Sequence, residues 1–143
     1  MTITDKLSHL RAINLRTLFD IVLRENENYI CELNRDQMYE EGVMNVKTGK
    51  QEQYAESTKK AKRKAPFPKI DFVTLKWFGN FHRELRLLIF KDTFVIQSDN
   101  RIWGNYLEPN PRFTSALGLV KESKSDLREL TRDELIKKIK SGL

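Results

Sequence analysis

The sequence predicts an α+β fold: a long N-terminal helix packed on a small antiparallel β-sheet, with short helices at the C-terminus. Three observations carry that prediction. From Leu15 the apolar or stripe-bearing positions Leu15, Leu18, Phe19, Val22, Asn26, Tyr29, Ile30 and Leu33 fall at three- and four-residue spacing, one face of a helix. The stretch from Phe72 to Ser98 gathers aromatic and β-branched residues in short runs separated by polar turns, the signature of a hairpin. After Ser123 the composition returns to that of helices, with Thr131 and Glu134 in the spacing of a capping box.

Thr4 and Asp5 read as N-caps of the opening helix, which runs without proline or glycine as far as Gly42. Ile21 and Leu23 broaden its stripe, so this helix is expected to pack on more than one surface or to meet another chain. Gly42 supplies the left-handed conformation of a C-cap. Asn26, Asn34 and Gln37 lie on or beside the stripe, and the reading favoured for them is as amides that tether the core or a loop, because buried amides need partners. Cys31 reads as a small buried apolar residue.

Residues 43–71 form a second region. Val43 to Gln51 reads as a reversal or small ribbon around Thr48 and Gly49, and Tyr54 to Ala65 as a short basic helix stopped by Pro66 and Pro68. Region 72–98 is the sheet, expected to hold about three strands, with a tight turn or a short helical turn at Phe78 to Glu84 and a turn at Lys91, Asp92 and Thr93. Region 99–116 carries Gly104, Pro109 and Pro111 and reads as a long loop. Its Trp103, Tyr106 and Leu107, with Phe113, are either pinned to the core or used for contact, and they are the candidate subunit-interface residues. Region 117–143 closes with two helical pieces, Lys124 to Leu130 and Asp133 to Ser141.

Composition bounds the function. The chain has 143 residues, 39% hydrophobic and 32% charged, the length of one domain with a heavily solvated exterior. No apolar run reaches the roughly 20 residues that cross a bilayer, and the start lacks a signal peptide's apolar core, so no membrane role is expected. A single cysteine excludes intramolecular disulfides and cysteine-based zinc sites. The net charge of +6 is concentrated at Lys59, Lys60, Lys62, Arg63, Lys64 and Lys69, without an acid among them. These six are candidate contacts for phosphate or for an acidic partner, although a solvated loop gives the same run. No aromatic residue interleaves with the lysines between Lys59 and Ala65, which favours the protein-facing or solvated reading over nucleic acid.

Catalytic constellations are not found. His9 and His82 have no neighbours at metal-ligand spacing, and there is no phosphate loop of the GxxxxGK[ST] or GxGxxG form and no GxSxG elbow, so neither a catalytic residue nor a metal nor a cofactor is implied. His82 reads as a turn or surface residue.

One pattern goes beyond composition. Leu33-Asn34-x-x-Gln37-Met38-x-x-x-Gly42, then Gly49, then Tyr54-x-x-Ser57-Thr58-x-x-x-Lys62 resembles a family of small virion proteins encoded by tailed bacteriophages of Bacteroidetes-type hosts. Val73-Thr74-Leu75 with Gly79-Asn80-Phe81 is similar to that family's V-x-L-x-x-[TS]-G-x-F stretch, with Phe78 in place of the usual Thr or Ser. Phe94 to Ser98 is similar to its second hairpin strand and Ala116-Leu-Gly-Leu-x-x-Glu122-Ser123 to its helix entry. The resemblance implies a structural virion protein of the head–tail connector, neck or tail-completion kind. Such a protein would be a homo-oligomeric ring subunit beside portal, neck or tail proteins, assembled in the host cytoplasm, whose basic segment could face DNA phosphates without reading sequence. The alternative from the residues alone is a non-sequence-specific nucleic-acid-binding module.

Overall fold

Two helices, not one, carry the N-terminal stripe. In the computed structural model, which describes residues 2–5, 8, 15–90 and 93–141, helix α1 spans Leu15–Glu25 and helix α2 Glu27–Tyr39. The break falls at Asn26, whose backbone departs to φ −110° and ψ 20°. Its N–H is shared between the carbonyls of Val22 and Leu23, each at 3.2 Å, and its Nδ2 donates back to the Val22 carbonyl at 2.8 Å. A side chain that bonds its own preceding turn competes with the helix ladder, and this is the physical reason the long helix is two. The opening N-cap also moves: Thr2 Oγ1 accepts the Asp5 N–H at 3.1 Å while Asp5 accepts the Thr2 N–H at 2.9 Å, so Asp5 closes a capping box opened by Thr2. His9 and the Lys91–Asp92 hairpin tip lie outside the described residues.

Helix α2 ends as expected. Gly42 takes φ +68°, and the Val43 N–H reaches back to the Gln37 carbonyl at 2.9 Å in a Schellman closure. A Cβ on Gly42 would stand 2.3 Å from the Phe72 ring, so the glycine also makes room for packing. The ribbon that follows is a single antiparallel bridge, Asn45 to Lys50, and helix α3 is confined to Glu56–Lys62.

The sheet has two strands, β1 (Leu85–Ile89) and β2 (Phe94–Ser98), paired antiparallel with Leu87 opposite Ile96. Phe72, Val73 and Leu75 add no third strand: the segment turns sharply at Leu75, which holds φ 57°. A left-handed leucine costs about 1 kcal/mol or more, and three contacts hold it there. Tyr54 Oη accepts the Thr74 N–H at 3.0 Å, Thr74 Oγ1 accepts the Lys76 N–H at 3.2 Å, and His82 Nε2 bonds the Thr74 carbonyl at 2.7 Å. The short helical turn is present as α4, Asn80–Arg83.

At the C-terminus one helix, α5 (Lys121–Ser141), replaces the two expected pieces. Thr131 is buried in its interior and opens nothing, because the N–H groups near it already have partners one turn back. Helix α5 packs on α1, and α2 packs on β1. Ile30, Met38, Phe81, Leu87, Ile96, Trp103 and Phe113 meet in the shared core.

Candidate functional site

The basic segment does not present six free cations. Lys62 is fully buried, and its ammonium donates to the carbonyls of Phe67 and, at 2.9 Å, of Lys69. Burial pulls its pKa below the ordinary lysine value. It ties helix α3 to the chain around Pro66 and Pro68, so it is withdrawn as a phosphate or partner contact. Lys69 lies 5.1 Å from the Tyr39 ring centre and 4.6 Å from that of Phe72, a cation–π seat. Lys59 is half-buried and pairs with Glu56 at 3.3 Å. Lys60, Arg63 and Lys64 remain exposed.

The aromatic loop divides likewise. Residues 101–107 wind through a π-helical turn, Trp103–Leu107, that aims Trp103 inward against Phe81 with ring centres 5.7 Å apart. Trp103 and Phe113 are buried in the chain's own core and Leu107 is packed against it. Of the four candidate interface residues these three are anchors, with little area left for a neighbour. Tyr106, 70% exposed, is the one that faces outward.

His82 is buried, not a surface residue. A carbonyl only accepts, so Nε2 carries the proton it shares with Thr74, and Nδ1 is left a lone pair with no partner among the described residues. Burial, with Lys76 and Arg35 adding to it, pushes the imidazole down to about 4. Arg35 Nε donates to the His82 carbonyl at 2.6 Å, which fixes the turn from the helix side. No group of three or more histidines, cysteines or acids fit to hold a metal occurs among the described residues. The Cys31 thiol is buried and pushed up to about 11, a range in which it stays protonated at neutral pH.

A different surface stands out. Between α1 and the far end of the hairpin runs an open groove of about 770 Å³, walled by Leu15, Phe19, Leu23, Ile89, Phe90 and Phe94. Leu15 is 60% exposed, Phe90 55% and Phe19 46%. A chain with few apolar residues leaves two phenylalanines and a leucine here in water, with Val95 exposed nearby on β2. The sequence carried a signal for this in the over-wide stripe of the first helix. It carried none for the part played by Phe90, because only folding brings the end of β1 to that helix.

The fold and these surfaces define a small α+β protein with a polar-pinned core and an open apolar groove beside α1. No family model, no curated protein and no solved structure matches the chain. No helix among the described residues is long and apolar enough to cross a membrane.

Proposed function

We propose that this chain is a non-catalytic assembly subunit that associates with copies of itself, in the manner of the phage head–tail connector, neck or tail-completion proteins its sequence resembles. The observation that carries the reading is the groove between α1 and the hairpin. Aromatic and aliphatic side chains concentrated at an open surface are the usual centre of a protein–protein contact, and a second copy supplies matching surface in a closed ring. The distribution of charge supports a protein contact over DNA, since Lys62, Lys69 and Lys59 are engaged within the chain. The buried neutral imidazole of His82 and the high thiol pKa of Cys31 support a role without turnover.

The test is the mass of the purified protein in solution, measured for the native chain and for a Phe19→Ser, Phe90→Ser double variant. The native chain is expected to sediment as an oligomer and the double variant as a folded monomer. A monomeric native chain at about 100 μM, well above the Kd of a stable subunit contact, sinks self-association. Absence from purified virions and from assembly intermediates sinks the virion assignment.

A further inference from the structure

Helix α5 sorts its charges by sign. Every charged residue from Lys121 to Glu129 is followed, three or four places on, by another of its own sign: Lys121 by Lys124, Lys124 by Arg128 and Arg128 by Arg132; Glu122 by Asp126, Asp126 by Glu129 and Glu129 by Asp133. On a helix such positions are neighbours, and like charges there repel where a mixed pattern would attract. Glu129 and Arg132, of opposite sign and three places apart, form no ion pair, and Arg132 turns instead to Asp133 at 3.7 Å.

At about 100° per residue the two sets become two rows along α5, about a third of a turn apart and each about 16 Å long. Ser123, Leu127 and Thr131 are buried on the far side of the helix, so both rows look outward, and all eight of their residues are exposed. Lys121, Glu122, Lys124, Asp126, Arg128 and Glu129 form no ion pair among the described residues. The hollow beside Lys124 and Arg128 is otherwise lined by uncharged residues, so no other element answers these two cations there.

We propose that α5 is a contact between copies of this chain, in which two α5 helices run in the same direction and the basic row of one lies on the acidic row of the next. A second copy is the occupant that answers both rows. An acidic partner uses the basic row and leaves the other facing water, a basic partner does the reverse, and duplex DNA laid on the basic row meets the acidic one beside it. The direction follows from the order of the rows. Side by side and parallel, two copies set unlike rows together; turned end for end about a two-fold axis, each row meets its own kind and repels. Every copy in the parallel arrangement keeps one row for a further copy, so the contact continues from subunit to subunit. Exposed pairs contribute little affinity one by one, and here the rows set direction and register. The inference rests on the reading of the chain as self-associating and adds a contact that shares no residue with the α1 groove.

Sedimentation equilibrium of the full chain and three variants tests this. One carries Lys121→Glu, Lys124→Glu, Arg128→Glu and Arg132→Glu, a second Glu122→Lys, Asp126→Lys, Glu129→Lys and Asp133→Lys, and a third all eight substitutions, which exchange the rows at unchanged net charge. Each single-row reversal should weaken self-association about tenfold or more. An equimolar mixture of the two should regain it, and the exchanged chain should stay within about threefold of the native one. Native association should also weaken as salt rises from about 0.05 to 0.5 M, a measurement that needs no variant. A native oligomer indifferent to salt and to both reversals overturns the α5 contact and leaves self-association through the α1 groove standing, whereas a monomeric native chain overturns both. Loss in the reversals that neither mixing nor exchange restores assigns the effect to net charge and overturns the pairing of rows.

Discussion

Two amides on α2 hold the C-terminal third of the chain in place. Asn34 Nδ2 donates to the Ala116 carbonyl at 3.1 Å and its Oδ1 accepts the Gly118 N–H at 2.9 Å; one turn on, Gln37 bonds the Gly118 carbonyl and the Val120 N–H, both at 3.0 Å. Each side chain thus serves one donor and one acceptor of a segment with no ladder of its own. Replacing either by alanine strands two part-buried backbone groups, and each substitution is expected to cost about 2–4 kcal/mol in urea denaturation. Exposed neighbours such as Glu40 should stay within about 0.5 kcal/mol. His82 sets a pH dependence. Burial holds its imidazole at about 4 in the folded chain, below the ordinary histidine value of 6.5. Between those values the unfolded chain binds the extra proton, so stability is full above about 6.5 and falls as pH drops toward 4, by up to about 3 kcal/mol. His82→Gln, which keeps a donor for Thr74, should lack this slope when denaturation is compared across that window.

At the scale of elements, Lys62 makes a joint of what composition presents as a charged tail. Its ammonium stands over the Tyr54 ring, 5.6 Å from the ring centre, and its two carbonyl acceptors sit on either side of Pro68. Lys62→Met keeps most of the volume and removes both bonds. A loss of about 1–3 kcal/mol is expected, with faster amide exchange confined to the segment from Phe67 to Lys76. Lys60→Gln, two residues before the joint, on the other side of α3 and exposed, should leave both measurements unchanged. Before the break at Asn26, α1 lies on the single helix α5, where Lys138 pairs with Glu25 at 3.1 Å.

For the whole molecule, the two readings of its function separate in salt. With Lys60, Arg63 and Lys64 as the exposed remainder of the basic run, duplex DNA binding through that run would show a log–log salt slope below about 3, at roughly 0.9 per phosphate contact. A gel shift at about 0.15 M salt should accordingly find feeble binding, little changed when the three are made glutamine. Tight binding lost in that variant would favour the nucleic-acid module. The solution mass of the Phe19→Ser, Phe90→Ser variant tests the assembly reading on a different surface, so the two outcomes do not share a failure.

The sequence by itself determined the fold class, the hairpin, the glycine end of α2, the break at the prolines and the tethering role of Asn34 and Gln37. Each is a local matter of periodicity, backbone permission or the need of an amide for a partner. Only the tertiary structure decided where charge and aromatic area go. Lys62 reads as a partner-facing or solvated cation until carbonyls five and seven residues on are folded over it, Trp103 reads as either a core anchor or a contact until Phe81 is beside it, and His82 reads as a turn or surface residue until Thr74 turns its carbonyl inward. The α1 groove needs the meeting of residues about seventy positions apart, Phe19 and Phe90, a distance over which side-chain pattern carries no register.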